Sequence, residues 1–155
     1  MNVTLLLCDH AEVADGKLFI NGGGWDTTSS PTAPFSVAIL LWVPWDRTNA
    51  ALQFRLALFD EDGEPVRQQA PDGTVVPVEL AGDFEVGRPP GATQGAALPV
   101  PMSFNFGPMG LDAGRRFHWQ VWLDGETDEA WTYAFATRPN APAPTAGGPA
   151  DFQLP

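Results

Sequence analysis

Phe117, Trp119, Val121 and Leu123 alternate with Arg116, His118, Gln120 and Trp122, and no other feature constrains the chain as much. Successive side chains of extended backbone point to opposite faces, so a period of two means a strand with one buried face. Asp124-Gly125-Glu126 supplies turn chemistry, and Trp131, Tyr133 and Phe135 then repeat the alternation. The pattern predicts a β-hairpin with a heavily aromatic inner face.

The same reading extends upstream. Strands are expected over residues 3–8, 17–21, 35–43, 52–59 and 99–106. The third of these is apolar on both faces, with Val37, Ile39 and Leu41 on one and Ala38, Leu40 and Trp42 on the other, as in a strand covered on both sides. Val76, Val78, Leu80, Phe84 and Val86 share one parity across Gly82, which predicts one long strand, kinked at the glycine. A weak edge strand is expected over 66–69. Pro77 and Pro99 have no amide to donate and so favour open sheet edges. About eight or nine short strands at this spacing predict an all-β, single-domain antiparallel β-sandwich of Ig-like or C2-like architecture over residues 1–137, with a closed barrel as the competing form. No helix longer than a turn or two is expected. Residues 138–155 shift to Pro, Ala, Gly and Thr, too little apolar surface to offset ordering, and predict a flexible tail. Phe152 and Leu154 are its only large apolar residues and would be the anchors of any short docking motif.

Composition excludes several functions. Cys8 is the only cysteine, so there is no disulfide framework and no multi-thiolate metal site. The net charge is -11, with 19 acids against 8 bases, and a chain this acidic is repelled by nucleic acid and anionic lipid. No segment approaches the roughly 18 apolar residues of a membrane helix. Leu5-Leu6-Leu7 before Cys8 resembles a lipoprotein signal only superficially, because there is no basic region and the apolar run is short. A first strand with a buried thiol, in a cytoplasmic protein, is the expectation.

No catalytic set stands out. Cys8, Asp9 and His10 bring a nucleophile, an acid and a base together, but neighbours on a strand face opposite ways. The only other histidine, His118, is predicted outward on its strand, and no ligand pair has the spacing of a zinc site. Gly22-Gly23-Gly24 lacks the following Lys-Ser or Lys-Thr and the helix of a phosphate loop, so no cofactor is implied.

Two acidic turns give a calcium alternative, through Asp60 and Asp62 in one and Asp124 and Asp128 in the other. They would meet at one end of the sandwich only if the weak 66–69 strand joins the alternation. Four tryptophans give the leading expectation of a protein-interaction or assembly module without enzymatic activity. Trp42 and Trp122 are predicted on outer sheet faces, Trp25 follows the glycine joint, and Trp45 follows Pro44. Such aromatics anchor protein interfaces, so a protein partner or self-association is expected. A third reading, a hydrolase, would need a deep polar pocket around His10 or His118.

Leu5-Leu6-Leu7-Cys8-Asp9-His10-Ala11-Glu12-Val13 followed by Asp15-Gly16-Lys17-Leu18-Phe19-Ile20-Asn21-Gly22-Gly23-Gly24-Trp25 resembles a family of uncharacterised bacterial, actinobacterial-type proteins catalogued as a domain of unknown function. Phe59-Asp60-Glu61-Asp62-Gly63 and Phe84-Glu85-Val86-Gly87-Arg88-Pro89 share the resemblance, which runs to Thr137. It implies a small cytoplasmic β-sandwich and brings with it no activity and no catalytic residue.

Overall fold

A computed structural model of the chain describes residues 1–141. Among these residues, eleven strands form two main sheets and a separate ribbon. Strands β1 (Asn2–Ala14), β2 (Lys17–Gly23), β4 (Phe35–Val43) and β9 (Leu98–Phe106) make the first sheet, in the order β2-β1-β4-β9. Strands β3 (Thr27–Thr28), β5 (Ala51–Asp60), β8 (Glu79–Glu85), β10 (Arg116–Leu123) and β11 (Thr132–Thr137) make the second, in the order β3-β11-β10-β5-β8. All pairings are antiparallel except that of β3 with β11. Two single-turn 3-10 segments are the only helical elements among the described residues.

The alternating stripes do what their period demands. Phe117, Trp119, Val121 and Leu123 of β10 face Val37, Ile39 and Leu41 of β4 across one core shared by both sheets. Leu52, Phe54, Leu56 and Leu58 of β5 join them. Register follows the aromatic hairpin, with Phe117 opposite Phe135 and Trp119 opposite Tyr133. Trp131 falls outside the strand, because Asp128 accepts the Ala130 amide and turns the chain through one 3-10 turn first.

Three expectations are corrected. Among the described residues the strand count is eleven rather than eight or nine, because β3 is too short to show a period and the expected strand over 76–86 is two, β7 (Val75–Pro77) and β8, while the weak strand expected over 66–69 is present as β6 (Arg67–Gln69). The expected strand over 76–86 is broken at Val78: Pro77 cannot donate, the Val78 amide turns to Val66 while its carbonyl accepts from Leu58, and β7 and β8 go to different partners. The segment at 67–69 pairs only with β7, as a ribbon outside both sheets, so it does not enter their alternation. Of the expected tail, residues 142–155, with Phe152 and Leu154, lie outside the described residues.

One feature of β1 was not anticipated. Residues 2–8 pair with β4, and residues 8–14 continue beyond it, paired with β2. This second half, with β2, folds across the outer face of the first sheet and touches β9, from which β4 separates it in the sheet. The hairpin covers a second small core of Cys8, Ala11 and Ala38, with Leu6 and Leu18 against it. Gly23 permits the close approach: a Cβ there would lie 2.8 Å from Ile20 Cγ2 and 3.1 Å from Leu6 Cδ1. Gly22, at φ 60°, supplies the kink beside it.

Candidate functional site

The outer face of the first sheet is unevenly covered. Ser36 and Ala38 are sealed beneath the hairpin, Leu40 is half-buried, and Trp42 at the other end is 38% exposed. The alternation of β4 put Trp42 outside, and it is outside. The hairpin itself leaves Val13, Phe19 and Ile20 exposed, Phe19 at 51%. Sequence reasoning missed these three. The signal was the neighbouring pair Phe19-Ile20, since adjacent side chains on a strand cannot share one core face.

The outer face of the second sheet carries a stacked ladder. His118 stacks on Phe59 with ring centroids 5.4 Å apart, Phe59 meets Trp122 at 5.7 Å, and the Arg55 guanidinium lies 4.4 Å over the Trp122 ring. Arg55 is held in turn by Glu79 at 2.9 Å. Burial, the larger influence, pushes the His118 imidazole below its ordinary range, while Asp60 pulls it upward. Beside the ladder a cleft of about 610 Å³ is bordered by Gln53, Arg55, Asp83 and Trp122.

Trp25 and Trp45 are committed elsewhere. Trp25 meets Phe35 and Phe135 edge-on at 5.9 Å and 6.1 Å, which makes it a cap on the core rather than an outward anchor. Among the described residues, its buried indole nitrogen has no partner. Trp45 lies under the Arg88 guanidinium at 4.1 Å, and Arg88 also donates to the Trp45 carbonyl at 2.9 Å and to Thr48 Oγ1 at 2.7 Å. The four tryptophans therefore do not form one surface. Trp42 and Trp122 stand on the outer faces of different sheets, with the core between them.

The acidic turns do not meet. Asp60 pairs with Phe117 at one end of the β5–β10 ladder, and Asp124 follows Leu123, which pairs with Phe54 at the other. Six residues of strand separate them, about 20 Å. Each carboxylate already has a structural task. Asp60 Oδ1 accepts the Asp62 and Glu64 amides at 2.9 Å and 3.0 Å, and Asp62 faces Arg115 at 3.2 Å. Asp124 accepts the Gln53 amide at 2.8 Å and pairs with Arg47, and Asp128 caps its 3-10 turn. Among the described residues, no group of three or more His, Cys, Asp and Glu side chains is placed to hold a metal ion.

Nor are the pieces of a nucleophilic site assembled. Cys8 is fully buried, its thiol 3.5 Å from the Ser36 carbonyl, and burial, with a smaller influence from Asp9, raises its pKa. His10 is exposed, and His118 lies on the other sheet against Phe59. Among the described residues, no helix is long and apolar enough to cross a membrane.

No curated protein and no solved structure matches the chain. The model of a family of unknown function, DUF6941, matches residues 3–135, which takes in every strand except the first residue of β1 and the last two of β11. The chain belongs to this family.

Proposed function

We propose that the protein is a non-enzymatic interaction module, acting on a protein partner or on a second copy of itself. The observation that carries this reading is the set of large apolar side chains left outside a completed core. Val13, Phe19 and Ile20 on the β1–β2 hairpin and Trp42 on the sheet beneath it are all more than a third exposed. Exposed apolar groups of this size on an otherwise acidic surface are what a partner covers. The occupied state of the polar candidates supports it too, since Asp60, Asp124 and Arg88 serve the fold's own turns.

The finer architectural reading is a β-sandwich, supported by the one core that both sheets share. A bacterial, cytoplasmic setting is supported by the Ala-, Pro- and Gly-rich composition, by seven arginines against one lysine, and by the lone thiol.

The test is the mass in solution by size-exclusion chromatography with light scattering, for the wild type and for Phe19→Ser with Trp42→Ser. Association, with itself or with a partner recovered from the source cell, is expected for the wild type and lost in the double variant. Association that the double variant leaves unchanged would remove the hairpin face from the proposal. A wild type that forms no complex of either kind would remove the proposal itself.

A further inference from the structure

Among the described residues, strand β8 is a free sheet edge with a cleft on each of its two faces. The Val78 carbonyl accepts from Leu58, and the Val86 carbonyl accepts from Asn49. In an antiparallel ladder the main-chain groups alternate between the two sides of a strand. Residues 80, 82 and 84 therefore spend theirs on β5, while Glu79, Ala81, Asp83 and Glu85 turn theirs outward. Among the described residues, none of these four has a main-chain partner beyond the β5–β8 ladder.

The side chains alternate the other way. Leu80, Gly82 and Phe84 share the inner face, opposite Leu56, Phe54 and Leu52. There a cleft of about 550 Å³ opens between β8 and β9, lined by Val13, Leu80, Phe84, Met102 and Phe104. Leu80 and Val13 are 36% and 41% exposed in it. Gly82 has no side chain to close it, and a Cβ there would meet nothing within 4 Å. On the outer face Glu79, Asp83 and Glu85 present three carboxylates beside the Trp122 cleft, and only Glu79 has an ion-pair partner among the described residues.

The neighbouring edges differ. Pro99 and Pro101 remove two donors from the first half of β9. β2 is kinked at Gly22, and β3 has two residues.

We propose that β8 accepts an added strand from a partner, an extended segment in which apolar residues alternate with Arg or Lys. The added main chain would bond the outward groups of Glu79, Ala81, Asp83 and Glu85. Its apolar side chains would enter the Leu80–Phe104 cleft, and its basic ones would meet the carboxylates. The same carboxylates reject a second copy of this edge, because pairing β8 with β8 sets acid against acid on a chain of net charge -11. The inference rests on the interaction reading above and names its partner chemistry.

The test uses the full chain and an array of nine-residue peptides with Arg or Lys at alternate positions and each apolar residue type between. Binders are measured by fluorescence anisotropy at low salt. Ala81→Pro removes an outward amide and leaves the β5 ladder intact, so it is expected to weaken binding by about tenfold or more. Asp83→Lys with Glu85→Lys is expected to do the same, and decides the matter if Ala81→Pro does not fold. Hydrogen exchange at the Ala81 and Asp83 amides should slow on binding. The proposal is overturned if no array peptide binds, if peptides of the same composition in blocks bind equally well, or if both β8 variants bind like the wild type. Binding that ignores the β8 variants and disappears with Phe19→Ser would overturn the edge and leave the interaction reading standing.

Discussion

The Ser36 hydroxyl accepts the main-chain amide of Ala11 at 3.1 Å. It also donates to the Asn105 side chain, so one side chain on β4 ties the folded-over half of β1 to β9. Ser36 is 1% exposed and Ala11 is fully buried. Ser36→Ala leaves a buried amide without an acceptor, which costs about 1–3 kcal/mol. The hairpin should then open more often and expose Cys8 beneath it. Alkylation of Cys8 under native conditions is expected to be slow in the wild type and faster in Ser36→Ala. Equal labelling rates would mean that the hairpin is held by its apolar contacts instead.

The tryptophans should separate by stability alone. Trp119 is fully buried against Phe35 and Phe106, so Trp119→Ala is expected to cost about 3–5 kcal/mol. Trp42→Ala, on the open end of the outer face, should stay within about 0.5 kcal/mol of the wild type. Chemical denaturation measures both. A large loss at Trp42 would show that it is covered by structure of this chain's own.

Millimolar calcium should leave the thermal midpoint where it was. A ligand that binds only the folded state must raise stability, and Asp60, Asp62, Asp124 and Asp128 are split between two ends and engaged by amides and arginines. A midpoint that climbs with calcium and returns on chelation would reinstate the acidic turns as a site.

His118 gives a pH signature with a fixed sign. Burial against Phe59 lowers its pKa in the folded chain, whereas in the unfolded chain it titrates near 6.5. Between these two values the unfolded state binds more protons, so stability rises with pH through this window and is lost as pH falls below about 6.5. The midpoint should therefore drop less between about pH 7 and pH 5 in His118→Gln than in the wild type. Parallel curves for the two proteins would assign the whole acid response to carboxylates.

The strands were legible wherever one face was buried, because burial forces a period of two on β5 and β10. Cys8 is buried as expected, but on the face opposite Val3, Leu5 and Leu7, beneath the folded-over hairpin and not by the period-two burial of one strand face. What could not be read was anything that depends on which strand lies beside which. The fold-over of residues 9–22 leaves no period of its own, and the separate ribbon at 67–77 has too few residues to declare one. The acidic turns fell apart on this point, since their meeting required that ribbon to belong to a sheet. For the interaction surface, Trp42 was legible from alternation. Trp25 was not, because a loop tryptophan gives no parity, and here it turns inward to Phe35 and Phe135.

Strand β3 is two residues long and is the far border of the sheet that begins at β8. A filament of stacked sheets needs two competent borders, one to receive and one to offer. On the β8 proposal, a strand added at one border faces a two-residue strand at the other, so edge pairing is expected to stop at one partner instead of growing into fibres.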